Sequence, residues 1–141
     1  MPSDRLNRSF RWLNITQFLG ALNDNIFQML LILFLIGVGG PASAGRVVAV
    51  AAMVFVAPFL VFTAWAGTLA DRFSKRDIVV LTKAAELAVM LLGIVAFIHG
   101  RPWAVYSVLF LMCTQSTFFG PSKYGIVPEL VRADQLSRAN G

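Results

Sequence analysis

Three hydrophilic side chains, Asn23, Asp24 and Asn25, stand together inside the otherwise apolar run FLGALNDNIFQMLLILFLIGVGG, residues 18–40. A carboxylate flanked by carboxamides can hold a cationic group or exchange a proton. If the run is helical, Asn14, Gln17, Asp24 and Gln28 share one stripe, with small Gly20 and Ala21 between them and Asn23 and Asn25 at its edges. An ionised Asp near the centre of a membrane span costs about 2.5 to 3.5 kcal/mol on insertion scales, so it must face protein or an aqueous cavity. A stripe that only packs helices gains about 0.6 kcal/mol per amide and little from a carboxylate. The residues therefore predict a cavity-facing or ligand-facing stripe.

A second charged pair, Lys83 and Glu86, lies three residues apart in another apolar run, a spacing that lets the two pair on one helix face. Glu86 sits about 12 Å in from Ile78 at 1.5 Å per residue and needs a partner there. A structural ion pair and a pair serving a cavity are both open. Further on, Thr114, Gln115, Ser116 and Thr117 give a polar stretch that suits either a water-accessible mouth or ordinary interfacial solvation.

Other chemistry is poorly provided for. The one His, His99, falls in a short turn, and the one Cys, Cys113, lies in an apolar run as a buried small hydrophobe. No Ser stands in a nucleophile motif and no Cys/His set has metal-ligand spacing, so no enzyme, metal or cofactor is expected. The net charge of +5 is carried in short clusters between apolar runs, a pattern for a membrane and not for nucleic acid.

The elements that must position these groups follow from composition. With 57% hydrophobic and 13% charged residues and a mean hydropathy of +0.73, the 141-residue chain reads as an all-α membrane protein. Four runs approach the roughly 20 residues needed to cross a bilayer: 15–38, 47–69, 78–98 and 103–119. The second carries no charge; its Ala49, Ala52, Ala57, Ala64, Ala66 and Gly67 permit close helix approach, and Pro58 is a kink site. Pro102 suits a first helical turn, with Trp103 and Tyr106 as interfacial anchors.

Residues 39–46, 70–77 and 99–102 are read as turns. Residues 1–14 are read as a cytoplasmic N-terminus and 120–141 as a cytoplasmic loop with one short surface helix near 129–139. Arg5, Arg8, Arg11, Arg72, Lys75, Arg76, Lys123, Arg132 and Arg138 collect on one side, against Arg46 and Arg101 on the other. Both termini are therefore expected in the cytoplasm. A rival reading takes the basic start, the apolar run and Ala42-Ser43-Ala44 as a cleavable signal peptide. The stretch before the apolar run is too long and too polar for it.

The turn after the second run reads GTLADRFSKR, residues 67–76. It resembles the loop motif of the major facilitator superfamily, G-x-x-x-D-R-x-G-R-R or R-K. Gly67, Asp71, Arg72 and Arg76 match in register; Ser74 replaces a Gly and Lys75 an Arg. The resemblance implies a gating contact by Asp71 and the basic residues that holds one conformational state. FLGALNDNIFQ, residues 18–28, together with FGPSKYGIVPELV and LSRANG, residues 119–131 and 136–141, is similar to the bacterial lysophospholipid transporter branch. Members of that branch also occur fused to an acyltransferase and an acyl-carrier-protein ligase.

The resemblance implies the first part of a twelve-helix transporter in the bacterial inner membrane. Its partners would be the bilayer, a lysophospholipid such as lysophosphatidylethanolamine, and the remainder of the same chain. Asp24, with Asn23, Asn25 and Gln28, would meet the zwitterionic headgroup or exchange a proton; Gln17, Glu86 and Lys83 complete the candidate set. Three alternatives stand beside this one: a drug or solute exporter of the same superfamily, the membrane module of an acyltransferase fusion, and a complete four-helix protein that dimerises into a pore.

Overall fold

The computed structural model describes the backbone of residues 2–130 and the side chains of residues 11–121. It consists of four long helices: α1 Pro2–Gly39, α2 Ala44–Arg72, α3 Lys75–His99 and α4 Pro102–Leu130. Among the described residues there is no strand. The side chains of Arg5, Arg8, Lys123, Arg132 and Arg138, and most of the surface helix expected near 129–139, lie outside the described residues.

Every helix outruns its apolar core. Hydrogen bonding does not stop where hydrophobicity does, so α1 includes the stretch read as an N-terminal tail and α2 runs three residues past the expected end at 69. α4 continues through Gly120 and Pro121 to Leu130, where the sequence predicts a loop from 120. A proline removes one donor from the ladder, and inside a long helix the flanking bonds carry the backbone across it. The same holds for Pro58, which is buried within α2.

The connections are tight. Gly40, with φ of 78°, enters a single 3-10 turn at Pro41–Ser43 before α2. Gly100 ends α3 in the left-handed region at φ 65°, its N–H bonded to the carbonyls of Ala96 and Phe97 at 3.1 Å.

Among the described residues three segments are long and apolar enough to cross a membrane: Arg11–Gly39, Pro41–Arg72 and Lys75–His99. α4, expected as a fourth, is not among them; the polar residues 114–117 lie within it. The outer surface carries many large apolar side chains: Leu60 is 80% exposed and Ile98 76%. Such a surface suits lipid and not water.

α4 is the hub. Its buried residues Val105, Val108, Leu109, Met112 and Cys113 recur at i, i+3, i+4, i+7 and i+8, one continuous helical face. That face packs most extensively against α2 and α3, which scarcely touch one another. α2 presents Ala51, Pro58, Ala66 and Ala70 as its buried residues with Val47. The close-approach face is therefore a different set of small residues from most of those expected: Ala49, Ala52 and Ala64 are exposed. α1 joins the core through Phe27, Leu31 and Leu35. The Phe97 ring meets Phe27 at 5.6 Å and, edge-on, Phe34 at 5.0 Å. Phe27 also lies over Gly93, where a Cβ would come within 2.8 Å of its ring.

Candidate functional site

Asp24 and Glu86 each fall one residue short of the midpoint of their spans, Arg11–Gly39 and Lys75–His99, and Ser116 is the central residue of α4. The helices alternate in direction, so equal distances from the ends bring these three to one level, deep in the apolar layer.

Two linked arrangements result. Ser116 donates a hydrogen bond from Oγ to Asp24 Oδ2 at 3.0 Å, and Gln115 Nε2 donates to Ser116 Oγ at 3.1 Å. The second carboxylate oxygen, Asp24 Oδ1, is buried with no partner among the described residues. One residue earlier, Asn23 turns toward α3, and its Nδ2 donates to Glu86 Oε1 at 3.3 Å and to Met90 Sδ at 3.4 Å. The other carboxylate oxygen of Glu86 pairs with Lys83 Nζ. That ammonium also lies 4.7 Å from the centre of the Phe119 ring on α4, a cation–π distance.

Gly20 makes room for the pair, since a Cβ there would lie 2.6 Å from Lys83 Nζ. These groups open onto a groove of about 360 Å³ between α1 and α3. Thr16, Asn23, Lys83 and Glu86 supply its polar lining and Leu19, Leu87 and Met90 its apolar walls.

The charges do not cancel. The polar cluster holds one cation, Lys83, and two carboxylates, Glu86 and Asp24, and among the described residues Glu86 is ion-paired and Asp24 is not. An apolar surround makes a lone buried carboxylate oxygen costly, so this position is suited to a cationic group or a proton.

The expected stripe is thus divided. Asp24 faces α4, Asn23 faces α3, and Asn25 is exposed, its Nδ2 donating to the Ala21 carbonyl of its own helix at 2.7 Å. Gln17 and Gln28 are half-buried without side-chain hydrogen bonds among the described residues, and Asn14 is exposed. Within 114–117, Thr114 and Thr117 bond the carbonyls of Phe110 and Cys113, leaving Ser116 to reach the carboxylate with Gln115 bonded behind it. The sequence signal for this was depth: Asp24 stands about 22 Å from the end of α1 at Gly39, and Ser116 about 21 Å from the start of α4 at Pro102. Met90, Phe119 and Gly20 carried no comparable signal.

The 67–76 motif straddles the break between α2 and α3. Asp71 and Arg72 end one helix, Lys75 and Arg76 begin the next, and Asp71, Arg72 and Arg76 are exposed. Ser74, which replaces the motif's Gly, caps α3: its side chain accepts from the Asp77 N–H at 3.4 Å. Arg72 in the last turn of α2 and Asp77 in the first turn of α3 both complement helix dipoles. A Cβ added to Gly67 would meet nothing within 4 Å.

Known proteins resemble the chain along nearly its whole length. It is 31% identical over 136 residues to the Lysophospholipid transporter LplT of Pectobacterium carotovorum, covering 96% of this chain and 31% of that protein. It is 30% identical over 128 residues to proteins of the same name from Cronobacter sakazakii and Escherichia fergusonii, covering 90% of this chain and 30% of each. The chain therefore spans just under a third of the length of these curated relatives. No solved structure matches it. The profile of a family described as transmembrane secretion effector, a major facilitator group, matches residues 7–140. With mid-span polar groups, apolar helices and this match together, the chain belongs to the transmembrane secretion effector family of the major facilitator superfamily.

Proposed function

We propose that the chain is part of a lysophospholipid transporter of a bacterial inner membrane. In this reading α4 is a fourth span, the four helices form one wall of a twelve-helix protein, and the charge-rich α2–α3 junction and both ends of this segment face the cytoplasm. The rest of the transporter supplies the opposite wall, and rocking of the two walls alternates access to a midplane site.

The observation that carries the proposal is the unbonded Asp24 Oδ1 at mid-span. The ammonium of a lysophosphatidylethanolamine-like headgroup, or a proton, satisfies it, and Asn23 links that event to Glu86 and Lys83. Gln17 and Gln28, half-buried on the same helix, are available to the headgroup's polar atoms. Asn25 is turned outward, its Nδ2 bonded to its own helix. Asp71, Arg72, Lys75 and Arg76, with Gly67, form the gating junction, whose contacts change between states. The relatives' name, Lysophospholipid transporter, supports the substrate class.

The test is uptake of radiolabelled lysophosphatidylethanolamine into spheroplasts that carry the intact protein, in a host without its own uptake route. Uptake above the empty-vector level is the expected result. Efflux of cationic drugs with no lysolipid uptake would overturn the proposal in favour of a solute exporter.

A further inference from the structure

Where α3 turns into α4, at the end of the helices away from the 67–76 motif, a second groove of about 340 Å³ opens between the two helices. Its floor is Ala96 and Val108, both buried, and its walls are Leu92 and Val95 of α3 and Leu111 of α4, all exposed. The one hydroxyl in it, Ser107 Oγ, is already used, donating to the Trp103 carbonyl at 2.9 Å. The interior is therefore an apolar slot of a shape suited to a hydrocarbon chain.

The mouth is different. His99, Arg101 and Trp103 line it, and no acidic residue does. The left-handed Gly100 holds the two basic residues on one rim by ending α3 in a single residue. His99 Nδ1 lies 2.9 Å from the Val95 carbonyl, so Nδ1–H donates there and the ring is fixed with its Nε2 edge free. Arg101 is exposed and forms no ion pair among the described residues. A guanidinium and an imidazole beside an apolar slot, with an indole at the same level, complement the phosphate and acyl chain of a membrane lipid.

We propose that this groove is a binding site for a bilayer phospholipid, one acyl chain lying between Leu92, Val95 and Leu111 and the phosphate bonded by Arg101, with the imidazole of His99 beside it at the mouth. The site needs only that the α3–α4 turn lie at a membrane surface, and so it stands apart from the transported substrate. It is also separate from the mid-span cluster, with which it shares no residue.

The experiment is photolabelling of the intact protein in nanodiscs with phosphatidylglycerol bearing a diazirine on one acyl chain, the adducts mapped by peptide mass spectrometry. Adducts are expected at Leu92, Val95 and Leu111, falling about tenfold in the His99→Gln/Arg101→Gln double variant, a loss appropriate to charge-assisted phosphate contacts. Leu111→Trp, which fills the slot without touching the mouth, is expected to lose labelling, and Arg101→Lys to keep most of it. A diacylglycerol probe with the same diazirine chain and no phosphate is expected to label the groove weakly. Equal labelling by both probes, or labelling unchanged in the double variant, would overturn the proposal by showing unselective lipid contact. Absence of lipid adducts at Leu92, Val95 and Leu111 in the parent protein would overturn it equally, as would Arg101→Lys losing as much labelling as the double variant.

Discussion

Ser116 of α4 donates its hydroxyl to Asp24 Oδ2 of α1 at 3.0 Å, tying two helices together at mid-span while Asp24 Oδ1 stays buried and unbonded. Half of the carboxylate is thus structural and half is available. Removing the hydroxyl separates the two roles. Ser116→Ala is expected to lower stability by about 1 kcal/mol, in the range found for interhelical hydrogen bonds in bilayers. Unfolding in mixed detergent micelles measures it, and a variant as stable as the parent would contradict the structural role.

The Lys83–Glu86 pair gives a prediction about order. Lys83 and Glu86 side chains are 27% and 13% exposed, so each is held largely out of water. Breaking a buried pair strands a charge, whereas replacing both partners does not. Lys83→Met alone is therefore expected to destabilise the protein more than Lys83→Met/Glu86→Gln, by about 1 to 3 kcal/mol after allowance for partial exposure. The melting temperatures of the three proteins decide it; a double variant weaker than the single one would contradict the pairing.

Glycines on the two faces should behave oppositely. At Gly93 a Cβ would press within 2.8 Å of the Phe27 ring, so Gly93→Ala is expected to cost about 1 to 3 kcal/mol by overpacking α1 against α3. At Gly67 the space is open, and Gly67→Ala is expected to be neutral or to add up to about 1 kcal/mol through helix propensity. The same unfolding assay reads both. Loss of stability at Gly67 would mean that the motif glycine is already in close contact in this state.

Much of this was legible in the sequence because lipid imposes a simple rule: helices are apolar where they cross, and turns carry the Gly, Pro and charge. The ends at Gly40 and Gly100 followed from that rule. The ends of α2 and α4 did not, since hydropathy marks the hydrocarbon boundary and says nothing of how far the ladder runs past it. The polar stretch 23–25 was visible as a group but not as three directions, because successive helix residues point about 100° apart. Asn23, Asp24 and Asn25 consequently meet α3, α4 and their own backbone in turn. Ser116 was visible only as part of a polar run; its pairing with Asp24 depends on which helices become neighbours, and α4's central place was not written in any single span.

The most direct test of the central claim is the transport rate of Asp24→Asn, measured as lysophosphatidylethanolamine uptake by the intact protein at matched abundance in the membrane. The amide keeps the size and can still accept from Ser116, but it removes the ionisable oxygen. Loss of a charge-assisted contact of about 1.5 to 3 kcal/mol predicts a fall of about tenfold or more. Uptake at the parent rate would show that the mid-span carboxylate is not the group that meets the substrate or its proton.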